Sequence, residues 1–187
     1  IPDSVTTIGV GAFRECSSLT SVTIPDSVTS IEDGAFADCS SLTEFIGKFA
    51  TEDGRSLIMD NTIIAYANAS GTTYTIPDSV TTIGDSAFYN CDSLTSVNIP
   101  DSVTTIGYEA FYDCSSLTSV NIPDSVTEIG SSAFKYCTSL TSVNIPDSVT
   151  TIRTEAFYLC TSLKQVYCYA TIPPSLGSSA FSSNANG

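Results

Sequence analysis

IPDSVTTIGYEAFYDCSSLTSVN, residues 99–121, is one unit of a repeat, and the rest of the chain is read outward from it. Its opening, Ile-Pro-Asp-Ser-Val-Thr, recurs without change from Ile1, Ile24, Ile76, Ile99, Ile122 and Ile145. These starts lie 23 residues apart except for one gap of 52, which is a unit plus 29 residues. Fixed-period self-similarity of this kind marks an array of stacked units. Six units occupy 1–23, 24–46, 76–98, 99–121, 122–144 and 145–167, with an insertion at 47–75 and a degenerate last coil at 168–187. Nothing is left over for a second domain.

Eight positions per unit are apolar: here Ile99, Val103, Ile106, Ala110, Phe111, Cys114, Leu117 and Val120. The spacing of Ile106, Ala110, Phe111 and Cys114 predicts one face of a short helix or helical turn. Val120 and Ile122 alternate with Ser119 and Asn121, the pattern of a strand with one buried face. Pro123-Asp124-Ser125 turns the chain, Pro fixing φ and Asp able to bond a nearby N–H. A further short extended segment falls at Val-Thr-Thr-Ile. A lone unit cannot close a core, but stacked copies bury each Ile, Phe and Leu against its counterpart. Each such side chain contributes about 1.5–3 kcal/mol, most of it offset by ordering entropy. The expectation is an α/β leucine-rich-repeat solenoid with parallel strands on one side, short helices or helical turns on the other, and one β-hairpin insertion.

The running text A-F-x-x-C-x-S-L-T-S-V-x-I-P-D-S-V-T-x-I-G resembles the repeat of the BspA-type leucine-rich-repeat surface proteins. Gly47-Lys48-Phe49-Ala50-Thr51-Glu52-Asp53-Gly54-Arg55-Ser56-Leu57-Ile58 is similar to a segment between repeats in bacterial members. Val166-Tyr167-Cys168-Tyr169-Ala170-Thr171-Ile172-Pro173-Pro174 resembles their usual last coil. The resemblance implies secretion or surface display and adhesion-type binding. It carries over no catalytic residue and no fixed set of binding residues.

Composition narrows the function independently. Among 187 residues, 20 Asp and Glu face 6 Lys and Arg, a net charge of −14. So acidic a surface repels phosphate backbones and anionic lipid, which argues against nucleic-acid and membrane-surface partners. Histidine is absent, which removes Ser-His and Cys-His nucleophile pairs, His-ligated zinc and the commonest general base. No apolar stretch approaches the roughly 18 residues of a membrane span. The chain opens at Ile1 and not at Met, so it is expected to be part of something longer. No cofactor is expected.

Cys16, Cys39, Cys91, Cys114, Cys137 and Cys160 share one repeat position, with no C-x-x-C pair. They are expected to be buried thiols acting as small hydrophobes, and Cys168 is expected to point inward too. Asp3, Asp26, Asp78, Asp101, Asp124 and Asp147 form a second ladder, read as turn caps or as calcium bridges between coils. Within the insertion, Ser56–Met59 and Thr62–Tyr66 flank Asp60-Asn61, a hairpin signal. That hairpin either projects while continuing or capping the stack, or makes a ligand-contacting excursion. Asn68-Ala69-Ser70 matches a glycosylation acceptor.

Ser96, Ser119 and Ser142 beside Asn98, Asn121 and Asn144 fill the strand face with nearly unchanging rows. The copies differ instead on the far side, where Tyr89, Tyr112, Tyr136 and Tyr158 either form a contact stripe or shield the turns from water. Identical rungs give no register along an array. Binding is therefore expected at Asp60, Asn61 and the four tyrosines, to a protein or glycan on another cell or matrix. A surface adhesion module is the favoured reading; a spacer projecting other domains is the alternative, favoured by the near-identity of the copies. Ile1 begins inside a repeat, so an uncapped first coil and end-to-end self-contact are also expected.

Overall fold

Each Pro-Asp-Ser triplet closes a tight turn: the N–H of Val5, Val28, Val80, Val103, Val126 and Val149 donates to the Pro carbonyl three residues back, at 3.0–3.2 Å. The structure, a computed structural model, describes residues 1–184. From each turn the chain builds a coil with three walls. The first is a parallel sheet of Thr73–Thr75, Ser96–Asn98, Ser119–Asn121, Ser142–Ile145 and Gln165–Cys168, with Val97, Val120, Val143 and Val166 in register. Ser21–Ile24 and Glu44–Gly47 form a separate pair in the same style. The second wall holds the short strands Thr82–Ile83, Thr105–Ile106, Glu128–Ile129, Thr151–Ile152 and Ser175–Leu176, also parallel.

The third wall is where the sequence expectation fails. Among the described residues there is no α-helix, so none that could cross a membrane. Two residues per coil adopt positive φ, at the eleventh and fifteenth positions: Glu109 and Asp113, Ser132 and Tyr136, Glu155 and Leu159. A left-handed residue at both places breaks any helix. The amides at positions 11, 13 and 15 therefore turn outward to the next coil, as in Glu109 to Ser131 O, Phe111 to Ala133 O and Asp113 to Lys135 O at 2.7–3.0 Å. The apolar spacing suits this flat chain of turns as well as it suits a helix.

The core follows the template. In coil 99–121 all eight apolar positions are buried. Phe88, Phe111, Phe134, Phe157 and Phe181 stack in a column with centroids 4.7–5.1 Å apart. In the first coil Val5, Phe13, Cys16 and Leu19 are only half-buried. Cys168 departs from expectation and is exposed: it pairs in register with Ile145, but no full coil among the described residues lies beyond it.

The insertion forms the expected hairpin and continues the stack. It begins at Gly47, φ +89°, where a Cβ would collide with the Ile24 carbonyl and only glycine lets the chain leave the sheet. Ser56–Met59 and Thr62–Tyr66 pair antiparallel through Asp60 and Asn61, both at positive φ as a type I′ turn requires. The hairpin lies in the short-strand wall, Thr62 and Ile63 pairing with Thr82 and Ile83. Residues 62–75 are thus a shortened coil of the stack. Tyr66 takes the Phe place, 5.0 Å from Phe88, and Tyr74 takes the Val place opposite Val97. Arg55 pins it, Nη2 donating to the Tyr66 hydroxyl and the Thr73 carbonyl, both at 2.6 Å.

Candidate binding surface

The buried thiols and the buried Asn68 amide each have a structural occupation. The thiols of Cys39, Cys114, Cys137 and Cys160 donate to the carbonyls of Phe13, Phe88, Phe111 and Phe134 in the preceding coil, at 3.0–3.2 Å. Those carbonyls lie over the core, so the repeat position wants a small apolar donor. Burial pushes the Cys39 thiol up to about 11 and Cys160 to about 12, and raises Cys91 and Cys137 well above the usual range. All seven cysteines are free, and among the described residues no group of three metal-ligating side chains converges. Asn68 stands where the shortened coil would have its cysteine. It is 5% exposed, and its Nδ2 donates to Tyr89 O at 3.2 Å and Asn90 O at 3.0 Å. The acceptor triplet is therefore a core fixture with no amide to offer a glycan.

The aspartate ladder is exposed. In the regular stack the inter-coil bond at the turn comes from the adjacent serine: Ser102 Oγ to Val80 O at 2.7 Å, Ser148 Oγ to Val126 O at 2.8 Å, and Ser125 Oγ to Val103 O. Asp60 and Asn61 are exposed on the short-strand wall, where Asn61 Nδ2 donates to Ser79 O at 2.6 Å. They are held against the next coil and sit on a different wall from the tyrosines.

The four tyrosines do come together. Position 14 of successive full coils reads Arg14, Ala37, Tyr89, Tyr112, Lys135 and Tyr158, with Tyr136 one residue out of register. Tyr89 and Tyr112 stack at 4.7 Å and 4°. Tyr136 meets Tyr112 edge-on at 5.3 Å and Tyr158 at 6.4 Å. Arg14 covers the Tyr89 ring at 4.6 Å, and Lys135 lies 5.3 and 5.1 Å from the Tyr136 and Tyr158 centroids. Lys135 also donates to Glu155 at 2.6 Å. Burial, then neighbouring phenols and carboxylates, pushes Tyr112 up to about 12, so its hydroxyl is neutral at physiological pH. Lys135 is visible in the sequence as a variable residue beside Tyr136, but Arg14 was missed as a member of the column, although it holds position 14 of the first coil.

Arg14 reaches Tyr89 across two unit lengths because the shortened coil has no outer turn. Coils 24–46 and 76–98 meet directly on this wall, where a Cβ on Gly34 would lie 3.6 Å from Ser86 Cβ. The junction leaves a basin of about 370 Å³ floored by Gly11, Gly34 and Ser86.

Six copies of the model for the BspA type leucine rich repeat region match residues 1–52 and 62–186, so the match takes in the shortened coil. The chain belongs to the BspA-type leucine-rich-repeat family. It is similar to a leucine rich cell surface protein from Faecalibacterium prausnitzii, with 25% identity and TM-score 0.64 over 91% of this chain and 59% of that one. The T. pallidum leucine rich repeat protein matches with 30% identity and TM-score 0.57, over 92% of this chain and 67% of that one. A leucine-rich repeat protein from Bacteroides ovatus matches at 29% and 0.57, over 96% and 45%. The chain thus spans about half to two-thirds of the length of these structures. No curated protein matches it by sequence.

Proposed function

We propose that this chain is a non-enzymatic binding module displayed on a cell surface, and that its turn wall engages a protein partner. Its family and its likeness to a leucine rich cell surface protein support the first half. The observation that carries the second is the state of the tyrosine column. A sugar ring recognised by an aromatic platform needs a free ring face. Here Tyr89 is covered by Arg14 on one side and Tyr112 on the other, and Tyr112 in turn by Tyr136. What Tyr89 and Tyr112 leave to a partner is ring edges, hydroxyl groups and the flanking cations, the mixture favoured at protein interfaces. Several coils together supply the roughly 800 Å² per partner that a standard interface buries.

The test is a screen of the immobilised chain against an array of extracellular proteins and a glycan array. Hits are expected among proteins and are expected to be lost when Tyr89, Tyr112, Tyr136 and Tyr158 are all changed to Ser. Tyr→Phe changes, which keep the stack, should weaken binding less. Asp60→Asn probes the hairpin without deleting a coil. If the four-Ser variant binds like the wild type while changes at Asn98, Asn121 and Asn144 abolish binding, the wrong wall has been chosen. An absence of hits on both arrays would favour the spacer role, which the near-identity of the copies supports.

A further inference from the structure

The basin at the junction of coils 24–46 and 76–98 is the one place on the turn wall where the repeat is interrupted, and its walls are unlike those of any regular rung. Val10 forms one side and is 76% exposed; Tyr108 forms the other and is 49% exposed. Between them stand the carboxylates of Asp33, Asp85 and Glu109. Two of these have local partners. Asp85 Oδ1 accepts the Tyr108 N–H at 2.7 Å, and Glu109 bonds the Tyr108 hydroxyl, pushing it up to about 12. The Asp33 carboxyl is raised by partial burial and by the charges of Asp85 and Glu32. The one cation on the rim, Arg14, is already engaged with the Tyr89 face and lies 3.7 Å from Glu15.

We infer that the basin takes the side chain of a lysine or arginine presented by the protein partner. A long basic side chain has an apolar stem and a cationic head. The stem matches the exposed Val10 and Tyr108 surfaces, and the glycine floor leaves room for it. The head would stand beside Asp33, Asp85 and Glu109, and its attraction would offset the repulsion that Asp85 exerts on Asp33. The net charge of −14 draws such a segment in from a distance. The junction also supplies the register that identical rungs lack. This inference rests on the proposed binding role and names the partner chemistry of its turn wall.

The experiment is an NMR titration of the isotopically labelled chain with a blocked Gly-Gly-Arg-Gly-Gly peptide, and with the same peptide carrying citrulline, the uncharged isostere. Shifts are expected at the amides of Gly11, Gly34, Ser86 and Tyr108 with the arginine peptide and not with citrulline. Asp33→Asn combined with Asp85→Asn keeps side-chain shape and the acceptor for Tyr108 N–H. It should weaken binding about fivefold, the loss of one partly screened ion pair. Asp101→Asn with Asp124→Asn, on the ladder outside the basin, should leave affinity unchanged. Tyr108→Ala should weaken both arginine and lysine peptides. Shifts spread along Asp78, Asp101, Asp124 and Asp147, or an affinity indifferent to the Asp33 and Asp85 changes, would overturn the inference. In that case array binding lost on removing the four tyrosines would leave the broader reading standing, so the two fail separately.

Discussion

Changing Asn68 should show that the shortened coil is the hinge of the array's stability. Asn68 Nδ2 donates to two part-buried carbonyls, Tyr89 O and Asn90 O, of which Asn90 O also accepts the Asp92 N–H at 2.9 Å, and its Oδ1 lies 3.5 Å from the Cys91 thiol that donates to it. Each bond is worth about 1 kcal/mol net, and a buried carbonyl left unmet costs about 1–3 kcal/mol. Asn68→Ala should therefore cost about 2–4 kcal/mol. Asn68→Cys restores one weak donor of the kind used in the full coils and should cost less. Asn68→Asp puts an acceptor against two carbonyls and should cost most. The apolar core falls into two clusters, one built on Val22, Phe36 and Leu42 and one on coils 76–167. The shortened coil feeds both: Ala65 and Ala67 the first, Ile63, Tyr66 and Tyr74 the second. In a linear array, stability is a sum of unit and interface terms. Weakening this interface should split a single urea transition, followed by far-ultraviolet circular dichroism, into two, with the N-terminal coils melting first. One unsplit transition in Asn68→Asp, shifted by under about 0.5 kcal/mol as for an ordinary surface change, would refute the reasoning.

Three further outcomes follow from the same geometry. With maleimide at about pH 8, near the ordinary thiol range, Cys168 should label fast and Cys39, Cys91, Cys114, Cys137 and Cys160 only on unfolding; peptide mapping showing Cys160 labelled as fast as Cys168 would contradict the buried ladder. Because folding raises the Cys39 and Cys160 thiols to about 11 and 12, the unfolded chain loses those protons first. Stability should then be flat below the ordinary thiol range near 8.5 and fall as pH rises toward those values, so an unchanged urea midpoint across that window would count against it. Leu159, at φ 57°, should tolerate Gly but not Val, whose branched Cβ resists the left-handed region; equal melting temperatures would argue against the paired left-handed turns.

What the sequence made legible was whatever repeats. Stacking the copies marked Ile99, Phe111, Leu117 and their counterparts as inward, because burial against an identical neighbour imposes the same residue type every 23 positions. The helical turns misled because i, i+4, i+5 spacing constrains which side chains point inward and not the backbone path between them. Only the tolerance of Glu109, Asp113 and Tyr136 for positive φ decides that path, and no composition rule exposes it. Cys114 reads as a small hydrophobe until the Phe88 carbonyl beside it is visible. The turn serine and aspartate are equally invariant here, so the sequence could not say that Ser102 makes the inter-coil bond while Asp101 faces water. Of the candidate site, the tyrosines were legible as variable positions, but their occupied faces, the Arg14 reach and the basin all follow from one shortened coil. Its Tyr66, Asn68 and Tyr74 share no letter with the Phe, Cys and Val they replace.

Recognition by this chain is proposed to use the turn wall. Amide hydrogen exchange on the chain, free and bound to a protein partner from the array, tests it most directly. Added protection is predicted at residues 10–15, 33–38, 85–90, 108–113, 131–136 and 154–159. Protection confined to Ser96–Asn98, Ser119–Asn121 and Ser142–Ile145, with the turn wall exchanging as in the free chain, would contradict it.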